Sequence, residues 1–124
     1  MSPSFEIELE GGHFGPGDAV RGTVLVREGG SSRNLEVLLE YMEETDDYST
    51  AAISVTSGSL HAGDLQTGAS FGFEIVLPAD ALPNYCSEHG ELYWVLDVKS
   101  DERGRDTHEC RRIEVEPPPR GAEF

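Results

Sequence analysis

The chain has 124 residues, with 24 Asp plus Glu against 9 Lys plus Arg, a formal charge of −15. So acidic a surface is a poor match for nucleic acid, whose binding depends on basic side chains displacing counterions, and for an anionic membrane surface. A charge-steered protein partner should instead carry a basic surface. The length fits one domain, and Leu, Ile, Val and Phe make 29 of the 124 residues, above the fraction typical of disorder. A folded domain with a modest core is expected.

The chain starts Met1, Ser2, Pro3, Ser4 and passes directly into alternation. Without a basic n-region, an apolar h-region or 18 successive apolar residues, neither a signal peptide nor membrane insertion is expected. Two cysteines, Cys86 and Cys110, are too few for a disulfide scaffold, and a cytoplasmic location follows as the simplest expectation. One Lys against eight Arg suggests a GC-rich coding sequence and a bacterial source.

Period 2, rather than 3.6, recurs along the chain. Phe5, Ile7 and Leu9 alternate with glutamates as a half-buried strand. Residues 11–18 hold four glycines and a proline and read as a turn cluster. Val20, Gly22, Val24 and Val26 form the next inward face, and residues 29–32 read as a break. Leu35, Val37, Leu39 and Tyr41 give the clearest inward face. Residues 51–60 read as a weaker strand carrying Ile53 and Val55. Phe71, Phe73, Ile75 and Leu77 follow, ended by Pro78. Leu92, Trp94, Leu96 and Val98 belong to a strand whose other face, Tyr93 and Val95, is also apolar, which predicts a central position. Ile113 and Val115 close the set, and Pro117, Pro118 and Pro119 end the ladder. Seven strands with turns every 10–15 residues and no intervening helices predict an all-β, immunoglobulin-like antiparallel β-sandwich over residues 1–116, with a flexible Pro-rich tail at 117–124.

The punctuation resembles a known family. Phe14, Pro16, Gly17, Asp18, Val20, Gly22 and Val24 fit the apolar-x-P-G-D/E-x-V-x-G-x-V opening of arrestin-like N-terminal domains. Phe71, Phe73, Ile75, Leu77 and Pro78 fit its F-x-F-x-I-x-L-P strand, and the aromatic-rich strand around Trp94 fits in order and spacing. Together these span about residues 5–116. The bacterial sporulation-control proteins of this clan look nearest. The resemblance implies a non-enzymatic scaffold or regulator that acts through protein contacts, in bacterial sporulation or stress control. It does not extend to phosphate reading: the first strand carries Glu6, Glu8 and Glu10, the wrong sign for that ligand. Full arrestins also have two such domains, and one is present here, so a homodimer is expected.

The motif residues have local physical reasons too. Pro16-Gly17 suits a type II turn, Asp18 can bond its own backbone two residues on, and Gly22 inside a strand suggests close approach of another segment. These are fold determinants rather than a binding site.

Constellations for chemistry are sparse. Cys86, His89, His108 and Cys110 have the composition of a zinc set, but a final hairpin about residues 101–106 would put Cys110 opposite residue 97. Cys86 would then lie roughly 30 Å off if the stretch between stayed extended. Semi-buried free thiols are expected, with no metal or other cofactor. Glu43, Glu44, Asp46 and Asp47 form an acidic tip without a calcium-loop pattern. They are the candidate protein-contact residues, with the 11–17 and 84–90 loops as further contact regions. No nucleophile elbow, P-loop, H-E-x-x-H or dinucleotide fingerprint is present, so no catalytic residue is assigned and no enzyme is expected. A ligand-binding sandwich module, for carbohydrate, a small molecule or calcium, is the alternative.

Overall fold

A computed structural model describes residues 3–104 and 106–117. The tail expected from Pro117 lies, beyond that residue, outside the described residues. Nine strands occur among those described: β1 (Ser4–Leu9), β2 (His13–Phe14), β3 (Ala19–Glu28), β4 (Gly30–Thr45), β5 (Ser49–Leu65), β6 (Ser70–Val76), β7 (Tyr85–Cys86), β8 (Gly90–Asp101) and β9 (Asp106–Val115). One sheet has the order β1-β3-β6; the other runs β2-β9-β8-β4-β5, with β7 also on β8. Every pairing is antiparallel except β2 with β9.

Alternation places the core between the sheets. Val20, Val24 and Val26 of β3 and Phe73 and Ile75 of β6 face Leu35, Val37, Leu39 and Tyr41 of β4 and Trp94, Leu96 and Val98 of β8, all buried. Each fully buried aliphatic side chain is worth about 1.5–3 kcal/mol. Trp94 is fully buried and its ring packs 4.8 Å from that of Tyr41. Its indole N–H donates to the carbonyl of Leu82 at 2.7 Å, and the Tyr41 hydroxyl donates to that of Pro83 at 3.2 Å. Two aromatic side chains thereby fasten the irregular 77–84 segment to the core, each with its polar handle satisfied. Ser32 and Ser100, also buried, satisfy one another at 2.7 Å.

The turn chemistry follows the sequence closely. Gly17 has φ +82°, and Asp18 N–H donates to Gly15 C=O at 3.1 Å, closing a turn with Pro16 at its second position. The Asp18 carboxylate accepts from Gly15 N–H at 2.8 Å, backward across the turn rather than from two residues on. Gly22 is needed for close approach: a Cβ there would lie 2.4 Å from the Glu8 carbonyl oxygen and 2.9 Å from the Phe73 ring.

Four local expectations are corrected. Two short strands, β2 and β7, bring the set to nine. The 11–18 cluster holds a regular piece, because His13 and Phe14 pair with Glu114 and Val115. Gly29 alone separates β3 from β4, since a side chain there would meet the Leu65 carbonyl oxygen at 2.3 Å. The weak strand at 51–60 is the longest of the molecule, 17 residues. Its scarcity of large apolar residues reflects its place at the sheet edge, beyond the cover of the three-stranded sheet.

Candidate functional site

The loops flanking several strand ends collect at one end of the sandwich. β4 ends there at Thr45 and β5 starts at Ser49; β8 starts at Gly90, and β9 ends at Val115. Thr45 holds the tip between β4 and β5: its N–H donates to Tyr48 C=O at 2.8 Å, and its hydroxyl accepts from Asp47 and Tyr48 N–H at 3.3 and 3.2 Å. The 84–90 loop lies against this tip. Thr45 pairs with Gly90 and Glu44 with Glu91, and Ser87 N–H donates to Gly90 C=O at 2.8 Å. The fit is tight at Gly90, where a Cβ would stand 3.0 Å from the Glu44 carbonyl oxygen.

The structure therefore joins two of the three expected contact regions in one surface. A shallow cleft of about 190 Å³ lies between them, lined by Glu44, Thr45, Asp46, Cys86, Ser87, His89, Gly90 and Glu91. Tyrosines brace the acids. Tyr48, half exposed, donates to Glu43 Oε1 at 2.5 Å, and Tyr93 donates to Glu44 Oε2 at 3.3 Å. The Glu43 carboxylate pushes the Tyr48 hydroxyl pKa above its ordinary value. Burial, followed by the Glu44 charge, does the same for Tyr93. Both phenols thus remain neutral donors. Asp46 faces His89 at 3.9 Å, and Asp47 is exposed. Arg112 is a cation close to this cluster, but it is occupied: it pairs with Glu91 at 2.5 Å and lies 3.8 Å over the Tyr93 ring. The 11–17 loop sits further round the same end, where Gly17 N–H donates to Pro78 C=O and Glu116 N–H to Phe14 C=O.

A second cluster lies on the outer face of the larger sheet. The expected final hairpin pairs Asp97 with Cys110 and Asp101 with Asp106. Asp97 is buried although it points outward. It accepts from His108 Nδ1 at 2.9 and 3.0 Å and from the Cys110 thiol at 3.6 Å. Desolvation and the Asp97 charge push the Cys110 thiol up to about 11, and burial followed by Asp97 raises Glu40. A catalytic thiol is activated by an adjacent base or by surroundings that lower its pKa. Here the carboxylate stands between His108 and Cys110 and holds the thiol protonated. Both cysteines are exposed rather than semi-buried, and free. Because β7 folds back onto β8, Cys86 stands opposite Glu91, about 20 Å from Cys110 along β8 rather than 30 Å. Among the described residues no three His, Cys, Asp or Glu converge to hold a metal ion.

Arg111 and Arg112 point to opposite faces. Arg112 takes Glu91, while Arg111 donates to the Ile7 carbonyl at 2.9 Å across to the other sheet. It forms one wall of an open groove of about 370 Å³ between β1 and β9.

No protein-family model matches the chain, and no curated protein matches it. Among solved structures it is similar to Spo0M, the sporulation control protein of Bacillus subtilis, at 26% identity and a TM-score of 0.59 over 94% of this chain. The fold is arrestin-like. The resemblance carried by Phe14, Pro16, Gly17, Asp18, Gly22, Phe71, Phe73, Pro78 and Trp94 thus has its structural counterpart. The arrestin-like chain spans 50% of the length of Spo0M. A beta-glucosidase of Listeria innocua aligns with 91% of the chain and 16% of its own, at 16% identity and a TM-score of 0.37, too low to bear on fold or function. Among the described residues no helix is long and apolar enough to cross a membrane.

Proposed function

We propose that this arrestin-like domain is a non-enzymatic regulatory module that docks a basic protein partner on its acidic end, in bacterial sporulation or stress control. The observation that carries this reading is the convergence of the 43–47 tip and the 84–90 loop, where braced acids outnumber nearby cations. Glu43 and Glu44 are held by tyrosine hydroxyls, so part of the entropy of ordering them is already lost before a partner arrives. Asp47 and Asp46, the latter 3.9 Å from His89, are exposed to charge-assisted hydrogen bonds from Lys or Arg. The similarity to Spo0M supports the regulatory part of the reading. The acidic face speaks for a cation-bearing partner rather than for a phosphorylated one.

Affinity capture from the native source tests this. The wild-type domain is expected to retain at least one basic protein that moderate salt releases, and Glu43→Lys with Glu44→Lys is expected to lose it. Equal capture by the folded double variant would remove the acidic end as the docking surface.

A further inference from the structure

The two long sides of the sandwich differ in charge. One side carries the edges of β1 and β9, with Glu6, Arg27, Glu109 and Arg111 around its groove. The other carries the edges of β5 and β6. In a chain 27% charged, residues 48–73 hold a single Asp, Glu, Lys or Arg, Asp64. β5 is thus a long edge strand without lysine or proline and with one acid, Asp64 near its end, so it has few of the charges and prolines with which proteins commonly blunt such edges. Its registry breaks at Ala52 and again around Ser57 and Gly58, where Gly58 has φ +83°. Between them Ile53, Ser54, Val55 and Thr56 keep regular pairing with β4, leaving the far edge of that run without a strand neighbour among the described residues.

We infer that this edge pairs antiparallel with the same edge of a second copy of the chain. Charge selects that occupant. Two chains of −15 repel wherever their acidic faces meet, and on this side the nearest acids to the Ile53–Thr56 run, Glu36 and Glu40, stand one strand back on β4 rather than on the edge itself. A basic partner gains nothing there. Ile53 and Val55 stand opposite buried Tyr41 and Leu39 and so face the core side of the sheet. Yet Ile53 is 38% exposed, because the three-stranded sheet does not reach it. A two-fold axis at Ser54 sets Ile53 of each copy against Val55 of the other and covers both. So short a strand pair falls well below the 20–30 residues a side of a standard interface, and the association is therefore weak and concentration-dependent. This surface is separate from the acidic end, and the two can be occupied together.

Sedimentation velocity of the full chain from 10 to 500 µM, in 0.1 M and 1 M NaCl, tests the inference. The mass should climb from 13.5 kDa towards twice that. Salt should strengthen the association severalfold, as the Debye length falls from about 10 to about 3 Å and the repulsion is screened. Glu40 stands opposite Ser54 on β4, so in a Glu40→Gln background Ser54→Lys opposes two unpaired lysines at the two-fold axis while lowering the overall negative charge, and its expected tenfold or greater loss of association is local. In a Cys86→Ser, Cys110→Ser background, Ser54→Cys should cross-link on oxidation, since facing residues lie within disulfide reach, and Thr107→Cys on the opposite side should not. A monomer at 500 µM in 1 M NaCl, growth beyond the dimer, undiminished association of Ser54→Lys, or failure of Ser54→Cys to cross-link would each overturn it.

Discussion

At the residue scale, the Asp97 carboxylate decides the character of the outer face. It draws His108 and Cys110 to one point, and its charge together with desolvation lifts the thiol to about 11. Only about 0.1% of Cys110 is then thiolate at pH 8, so its alkylation is slow in the intact fold. Cys86 lies on an exposed short strand at the acidic end. Iodoacetamide at pH 8, followed by peptide mass mapping, should therefore modify Cys86 first, and Asp97→Asn should accelerate Cys110. Equal rates in the native protein would contradict this environment. Spacing placed Cys110 on the last strand opposite Asp97 but left Cys86 in the 84–90 loop, where the structure has the short strand β7. It did not show that Asp97 is buried, because period 2 assigns it to the outer face and the covering comes from neighbours on β4 and β9.

At the element scale, β1, β3 and β6 meet where Gly22 has no side chain. A methyl group there must displace the Glu8 carbonyl and the Phe73 ring. Gly22→Ala should cost about 1–3 kcal/mol, a fall of about 5–15 °C in Tm for a domain of this size. Gly72→Ala, whose Cβ would meet nothing within 4 Å, should leave Tm unchanged or slightly higher. Thermal unfolding of the two variants makes the comparison, and equal melting would refute the packing argument. This glycine was legible beforehand, as were the inward faces of β3, β4, β6 and β8, because alternation against a buried face fixes side-chain direction. The extent of β5 was not legible. Its small and hydroxylated residues carry little hydrophobic signal, and its pairing is imposed by β4. The two-residue strands β2 and β7 were hidden for a related reason, as their hydrogen bonds depend on where β9 leaves β8.

At the scale of the whole molecule, an uneven distribution of charge gives the −15 its meaning. The acids concentrate at one end, the β1/β9 side is mixed, and the β5/β6 side is nearly neutral. Composition argues against nucleic acid and anionic membrane as partners, and the pairing of β4 with β8 brings two separate loops into one acidic surface. No linear motif encodes that juxtaposition, since residues 43–47 and 84–90 meet only through the ladder from Thr45–Gly90 onward. Amide chemical-shift mapping of the labelled domain, titrated with its captured partner, tests this account most directly. The account predicts that the perturbed amides centre on residues 43–48 and 86–91 and recover in 0.5 M salt. Perturbations centred on the β1/β9 groove, with the acidic end silent, would contradict it.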